Sequence, residues 1–431
     1  MICDNLEIKN NKLFFGGHDC TQLVKKYKTP LYVMDEERIR HNIRLYKNAM
    51  EKYFGNGAMP LFASKAASFK QIYRICAEEG IGTDVVSAGE IYTAKESEFP
   101  MEKAFFHGNN KTDEDIEFAI NSNVGYFVAD NKEEIEAIND AAERKGIIQK
   151  ILIRLTPGID PHTYEAVATG KVDSKFGAAI ETGAAEELTE FALSKKNIKT
   201  EGFHCHVGSQ VFDSSVYLAA ARIMLEFIAY INKKSGFNTK ILNLGGGYGV
   251  RYTEADPHID IEENIRLVAK QMRKMCDELD LDMPSVRMEP GRSIVADAGI
   301  TLYSVGSVKR IPGYKNYVSI DGGMTDNPRY ALYKSAYTII AANKAEEKCS
   351  LECSLAGRCC ESGDMIGEKF SLPESVERDD IIAVLTTGAY NYSMASNYNR
   401  IGRPPVVMVN KDNDYVAVKR EELEDIAHCD I

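Results

Sequence analysis

The chain lacks any apolar run approaching the ~18 residues needed to cross a bilayer. Its start, MICDNLEIKN, has no basic segment followed by an apolar one. A cytoplasmic protein with no membrane partner is the expectation. Positive charge is also in short supply: Lys+Arg 52 against Asp+Glu 64 leaves −12, a surface that repels phosphate backbones, so no nucleic-acid partner is expected. Ten cysteines in 431 residues fall far below the density of a disulfide scaffold, and reduced thiols are the default. The local cluster Cys349, Cys353, Cys359 and Cys360 has no paired CxxC spacing and sets two thiols on adjacent residues, so no metal site is predicted. With only 13 Pro, 32 Gly and 44% hydrophobic residues, collagen-like and disordered classes fit poorly. What remains is a chain too long for one ordinary core, which predicts two domains or a large barrel with an addition.

Residues 1–32 hold short extended pieces, LEIKNNKLFFGG and the start of TPLYVMD, around a helical stretch CTQLVKKYK. From 33 to 300 the pattern changes to apolar runs of four to six residues, most of them separated by amphipathic stretches, the signature of repeated βα units. Eight runs can be counted: MPLFAS, GTDVVS, KAFFHG, GYFVAD, KILIRL, TEGFHCHVG, TKILNLGGG and SVRMEPG. Eight parallel strands close an α/β barrel of the TIM type. The helix YLAAARIMLEFIAYINKKSG is expected to stop at Gly236. The stretch from Leu155 to Glu201 is longer than one helix needs, and Pro157, Gly158, Pro161 and Gly170 predict a loop inserted over the barrel mouth. Over 301–431 the helical period largely gives way to VGSVKR, NYVSID, CSLECSLAG, DDIIAVLTTG, PPVVMVN and DYVAVKR, which predict an all-β domain that also takes in the N-terminal strands.

In such barrels chemistry lies at the C-terminal ends of the strands. Here those ends offer Lys65, Asp84, His107, Arg154, His206, Gly245 to Gly247, and Glu289 with Arg292. Singly, each has a plain reading: a solvated lysine, a tight turn, a surface ion pair. Together Lys65, the glycines and Glu289 fit pyridoxal phosphate. That cofactor needs an amine for its Schiff base, donors for its phosphate, and an anion that keeps the ring nitrogen protonated. In FHCHVGSQ, His204 and His206 share one strand face and Cys205 the other. A metal pair is disfavoured because no third ligand lies at suitable spacing, and His206 flat over the cofactor ring explains the motif, with Ser209 near the phosphate.

The chain resembles the diaminopimelate decarboxylases, within the alanine-racemase-like family of pyridoxal-phosphate enzymes. The motifs run over nearly its whole length: LFASKAAS, DVVSAGEIYTA, FHGNNK, PGIDPHTYEAVATGKVDSKFG, FHCHVGSQVF, NLGGGYG, EPGRSIVADAG, SIDGGMTDNPRYALY, CCESGD and GAYNYSMASNYN. The resemblance implies decarboxylation of meso-2,6-diaminopimelate to L-lysine by a homodimer with shared active sites. It implies that Lys65 carries the Schiff base, and that Asp84, Arg154, His206, Ser209, Gly245, Gly246, Gly247, Glu289, Gly291, Arg292 and Tyr390 contact the cofactor. Cys360 would act from the partner chain as proton donor, and Arg292, Arg329, Tyr333, Glu361 and Tyr390 would bind substrate. Tyr330 departs from the family pattern, which has proline there, and a small backbone adjustment is the expectation.

Three other readings compete. A decarboxylase of ornithine or lysine would leave Arg329 without a distal carboxylate to bind. A racemase of this family would hold the ring nitrogen with arginine where Glu289 stands. A non-catalytic relative would be expected to lack Lys65 or Cys360, and both are present.

Overall fold

Each of the eight apolar runs forms one parallel strand in the computed structural model, which describes residues 2–55, 57–159 and 172–431. In chain order these are β1 (Met59–Ala63), β2 (Gly82–Val85), β3 (Ala104–Phe106), β4 (Tyr126–Ala129), β5 (Gln149–Thr156), β6 (Ile198–Cys205), β7 (Ile241–Asn243) and β8 (Ser285–Met288). Neighbours pair in sequence from β1 to β6, β6 pairs with β7 and β7 with β8, and β8 returns to β1 through Arg287 and Met288, closing the barrel. Parallel strands covered on both faces read as continuous apolar runs, and the described β3, Ala104–Phe106, is buried throughout. A two-residue strand, Ala178–Ala179, adds to the end of β5. The loop predicted over the barrel mouth falls largely on residues 160–171, outside the described residues.

The helix between β6 and β7, Ser214–Ser235, is capped by the Asp213 carboxylate on Ser215 N–H at 2.8 Å. It ends where Gly236 turns left-handed with φ +71°. By length and composition this helix is apolar enough to cross a membrane, which corrects the expectation that no such segment exists. Its apolarity has a local cause: Tyr217, Met224, Leu225 and Ile228 are buried, and the helix lies against Ile261–Leu279.

The chain divides into two compact units. One comprises 43–249 and 258–291 and contains the barrel; the other comprises 1–42, 250–257 and 292–431. In the second unit one sheet runs Met365–Pro373, Cys349–Ala356, Asn316–Ile320, Gly299–Arg310, Leu31–Asp35, Val406–Val409, Asp414–Val418. The strand Leu31–Asp35 enters it between antiparallel Gly299–Leu302 and parallel Val406–Val409. Leu6–Lys9, Lys12–Phe15 and His18–Asp19 form a small sheet of their own. It packs Leu13 and Phe15 into a core shared with Leu31, Leu302 and Val407. The strand Met365–Pro373 was not legible in the sequence: its burial is irregular rather than alternating, and its ladder shifts register at Gly367. Two short helices, Arg329–Tyr333 and Leu423–Ala427, interrupt what the sequence suggested was purely β.

Candidate active site

Glu289 follows β8 and is buried. Its Oε1 accepts a hydrogen bond from Asn243 Nδ2 at 2.6 Å and lies 2.8 Å from His107 Nε2, whose N–H is not aligned for a hydrogen bond. Its Oε2 accepts from His204 Nε2 at 3.1 Å. Burial alone would push this carboxyl up; His107 and His204 overcome it and hold Glu289 well below the usual carboxylate range. Burial pushes His204 down to about 4, so at neutral pH it donates as a neutral imidazole to an ionised carboxylate. Counting along the chain found no third group for the FHCHVGSQ histidines. The closed barrel supplies two, bringing ligand-type atoms of His107, His204 and Glu289 within 4.8 Å of one another. These groups come from β3, β6 and β8, so their convergence has no spacing signal in the sequence; His204 hydrogen-bonds Glu289 and His107 lies at ion-pair distance from it.

Lys65 lies in the turn after β1, with its side chain 46% exposed and Nζ 3.8 Å from Asp84 Oδ2. Asp84 is buried, and neither of its oxygens accepts a hydrogen bond among the described residues. Burial pushes its carboxyl up, against the pull of His107 and Lys65. Beside it Glu90 Oε2 accepts from Ser64 Oγ at 2.7 Å and from Val86 N–H at 2.8 Å, and burial pushes Glu90 up to about 7. Glu90 and Asn243 are site residues that the sequence reading passed over. The signals available were their places in DVVSAGE and NLGGG, next to residues already singled out.

The glycines after β7 are required by close approach. A Cβ on Gly245 would sit 2.5 Å from Cys205 O, on Gly246 2.0 Å from Glu289 O, and on Gly247 2.1 Å from Gly208 O. Gly291 likewise leaves no room, with Ala63 Cβ 2.9 Å away. Asn243 Oδ1 accepts Gly245 N–H at 2.9 Å, so one side chain joins the glycine loop to Glu289. Gly246 N–H donates to His206 Nδ1 at 3.3 Å, and burial beside Lys65 and Arg154 pushes His206 well below its ordinary value. His206 is therefore a neutral ring. Ser209 lies on the stretch whose Val211 N–H bonds Gly247 O at 2.9 Å, which sets 208–211 alongside the glycines. Arg154, at the end of β5, is buried, with its guanidinium 4.3 Å above the Phe176 ring.

The second unit gathers a different set. Arg292 is buried; its Nη1 donates to Tyr252 Oη at 2.7 Å, and its guanidinium lies 4.7 Å from the Tyr390 ring centre. Arg329 is buried with its guanidinium 5.2 Å from the Tyr333 ring and 5.3 Å from that of Tyr390. No carboxylate pairs with Arg329 and nothing accepts from its Nε among the described residues. Tyr390 holds a left-handed backbone, φ +61°, a conformation costly for a non-glycine residue. Tyr330 falls in the first turn of helix Arg329–Tyr333, where a proline would forfeit no helical hydrogen bond. Cys360 and Glu361 are exposed on a separate loop, 357–364. No hydrogen bond, ion pair or ring contact among the described residues joins them to the arginine–tyrosine cluster.

An open lysine beside a buried acid, a glycine cradle and a buried ionised carboxylate fit one cofactor, and comparison with known proteins gives the same answer. The pyridoxal binding domain of pyridoxal-dependent decarboxylases matches residues 36–296. Diaminopimelate decarboxylase of Bacillus methanolicus is 43% identical over 411 residues, 95% of each chain, and that of Bacillus subtilis 43% identical over 423 residues, 98% of this chain and 96% of that one. The chain belongs to the diaminopimelate decarboxylase family. Among solved structures, diaminopimelate decarboxylase from M. jannaschii in complex with L-lysine superposes with a TM-score of 0.92 at 35% identity, over 100% of this chain and 98% of that one. A lysine/ornithine decarboxylase from Vibrio vulnificus shares the fold, at a TM-score of 0.74 and 23% identity over 90% of this chain and 97% of that one. As in the rest of the decarboxylase family, the cofactor is pyridoxal 5'-phosphate.

Proposed function

We propose that this protein removes carbon dioxide from meso-2,6-diaminopimelate and releases L-lysine, closing lysine biosynthesis by the diaminopimelate route. The observation that carries the reading is Arg329. A buried guanidinium resting on two tyrosine rings, with no carboxylate partner among the described residues, is expensive unless a ligand supplies one. Diaminopimelate has a carboxylate at its far end; lysine and ornithine have none. Planar bidentate geometry makes arginine the fitting donor.

In this reading Lys65 anchors the cofactor through its amine, beside the Asp84 carboxyl, 3.8 Å away. Pyridoxal phosphate, when bound, takes up the electron pair left on carbon as the carboxylate departs. Glu289, kept ionised by His204 and oriented by Asn243, holds a proton on the ring nitrogen. Gly245, Gly246, Gly247 and Ser209 bind the phosphate, with Gly291 lining the same site and His206 offering a neutral ring face. Arg154, Arg292 and Tyr390 complete the cofactor-binding set. Arg292, Arg329, Tyr333 and Tyr390 bind the substrate. Cys360 gives a proton to the carbon, and Glu361 pairs with the distal ammonium, both contributed by the partner chain of a cytoplasmic homodimer.

The test is carbon dioxide release by cofactor-loaded protein from meso-diaminopimelate, with lysine, ornithine and arginine beside it. Release from the first alone is expected. Release from a diamino acid without a distal carboxylate would overturn the assignment of Arg329.

A further inference from the structure

The two loops that carry the substrate-recognition residues of the second unit share a single buried carboxylate. Asp364 is 3% exposed. Its Oδ1 accepts the Met324 N–H at 2.6 Å and its Oδ2 the Cys359 N–H at 2.6 Å. Each donor belongs to a different loop. Met324 lies in the turn 323–327, which Gly323 O closes by accepting from Asp326 N–H at 3.1 Å and Asn327 N–H at 2.8 Å; Pro328 and the helix Arg329–Tyr333 follow directly. Cys359 opens the loop of Cys360 and Glu361, which Asp364 closes from its own backbone: Asp364 N–H donates to Glu361 O at 3.1 Å, and Gly357 N–H to Asp364 O at 2.9 Å. Arg358 N–H donates to Gly322 O at 3.0 Å, a second tie between the loops.

Two glycines pack directly against this carboxylate. A Cβ on Gly323 would lie 2.3 Å from Asp364 Oδ1, and one on Gly357 2.2 Å from both oxygens. Two loops distant in sequence thus give up side chains where they flank one carboxylate. Charge-assisted hydrogen bonds from backbone N–H groups are short and strong in such a setting, and no single neutral side chain offers two acceptor oxygens in this geometry.

We propose that Asp364 is a positioning residue for substrate recognition: through Met324 it seats Arg329, and through Cys359 it seats Cys360 and Glu361. The inference rests on the reading that those three residues serve the substrate. It adds that their relative placement is set by one buried carboxylate rather than by each loop alone. Under the homodimer reading, in which Cys360 and Glu361 serve the partner chain, Asp364 ties a loop working at one active site to a loop working at the other.

The experiment uses the cofactor-loaded enzyme and two variants. Asp364→Asn keeps the shape but turns an amide N–H toward one of the two backbone donors. Gly357→Ala leaves Asp364 intact and pushes its carboxylate from outside. Both are expected to lower kcat/KM for meso-diaminopimelate by about 10²-fold, the scale of a displacement of about 1 Å, with KM raised at least as much as kcat is lowered. Cofactor affinity and the visible absorption of the bound cofactor should stay within about twofold of the parent, because Lys65, Asp84, Glu289 and the glycine loop lie in the barrel unit and neither Arg292 nor Tyr390 is on the two loops that Asp364 ties. Unchanged kcat/KM in either folded variant would overturn the inference. So would a fall in cofactor affinity parallel to the fall in kcat/KM, which marks a general scaffold role. If Asp364→Asn does not fold, Gly357→Ala decides alone. Failure of the parent to release carbon dioxide from meso-diaminopimelate would remove the functional reading instead, and is distinguished by that control.

Discussion

Glu289 in the barrel unit and Arg329 in the sheet unit are both buried charges, yet among the described residues only Glu289 finds carboxylate-matching partners. Glu289 accepts hydrogen bonds from His204 and Asn243. Elsewhere in the barrel, the buried Lys111 ammonium meets Glu134 at 2.6 Å and two carbonyls at 2.9 Å. Arg329 rests on the faces of Tyr333 and Tyr390, with no carboxylate within reach among the described residues. Ring faces soften the cost of a buried cation without neutralising it. The contrast separates two kinds of work: the barrel unit holds a charge paired within the unit, whereas the sheet unit holds one that, under the proposed function, the substrate carboxylate pairs with.

Substitutions can break or sharpen this contrast. The largest effect should come from Lys65→Ala, which is expected to abolish turnover and the visible band of the lysine-bound cofactor; absorption spectroscopy checks it, and a variant with full activity would remove the account of the cofactor. Glu289→Gln should lower kcat on the order of 10²–10³-fold, the scale of a lost preorganised charge, while the glycine cradle still binds cofactor, as fluorescence titration would report. Glu134→Leu should test the paired charges of the barrel directly. It strands Lys111 and is expected to cost about 3–5 kcal/mol, read by denaturant unfolding.

The smallest effect concerns acid. In the unfolded chain His204 titrates near 6.5, and in the fold near about 4. Between those values the unfolded state takes up a proton that the folded state refuses. The stability this ring contributes is therefore full above about pH 6.5 and is lost as pH falls toward about 4. A His204→Gln variant, still able to donate to Glu289, should show a flatter thermal midpoint across that window. An equally steep profile in both proteins would place the acid sensitivity elsewhere.

How much of this was legible in the sequence follows from the same physics. The eight barrel strands were readable because strands covered on both faces must be apolar throughout. The polar residues that end them, Lys65, Asp84 and Glu289 among them, stood out against those runs. The partners of Glu289 were not readable. His107 and Asn243 lie 182 and 46 positions before Glu289 in the chain, and only closure of the barrel brings them to it. Periodicity likewise identifies Leu31–Asp35 as extended but says nothing about its neighbours, which lie more than 260 residues away at Gly299–Leu302. The strand Met365–Pro373 was hidden for another reason: a bulged ladder breaks the alternation on which recognition depends. The role inferred for Asp364 had a trace in the sequence, the aspartate of CCESGD, but its second loop could be found only in three dimensions.

The most direct test of the contrast is Arg329→Met, measured as kcat/KM for meso-diaminopimelate together with unfolding free energy. With no carboxylate to strand among the described residues, the account predicts a loss of about 10²-fold or more in kcat/KM, the scale of a broken charge-assisted pair of about 2–5 kcal/mol, with stability changed by no more than about 1 kcal/mol and the cofactor band intact. A variant that keeps its activity, or one that loses stability as Glu134→Leu is expected to, would contradict it.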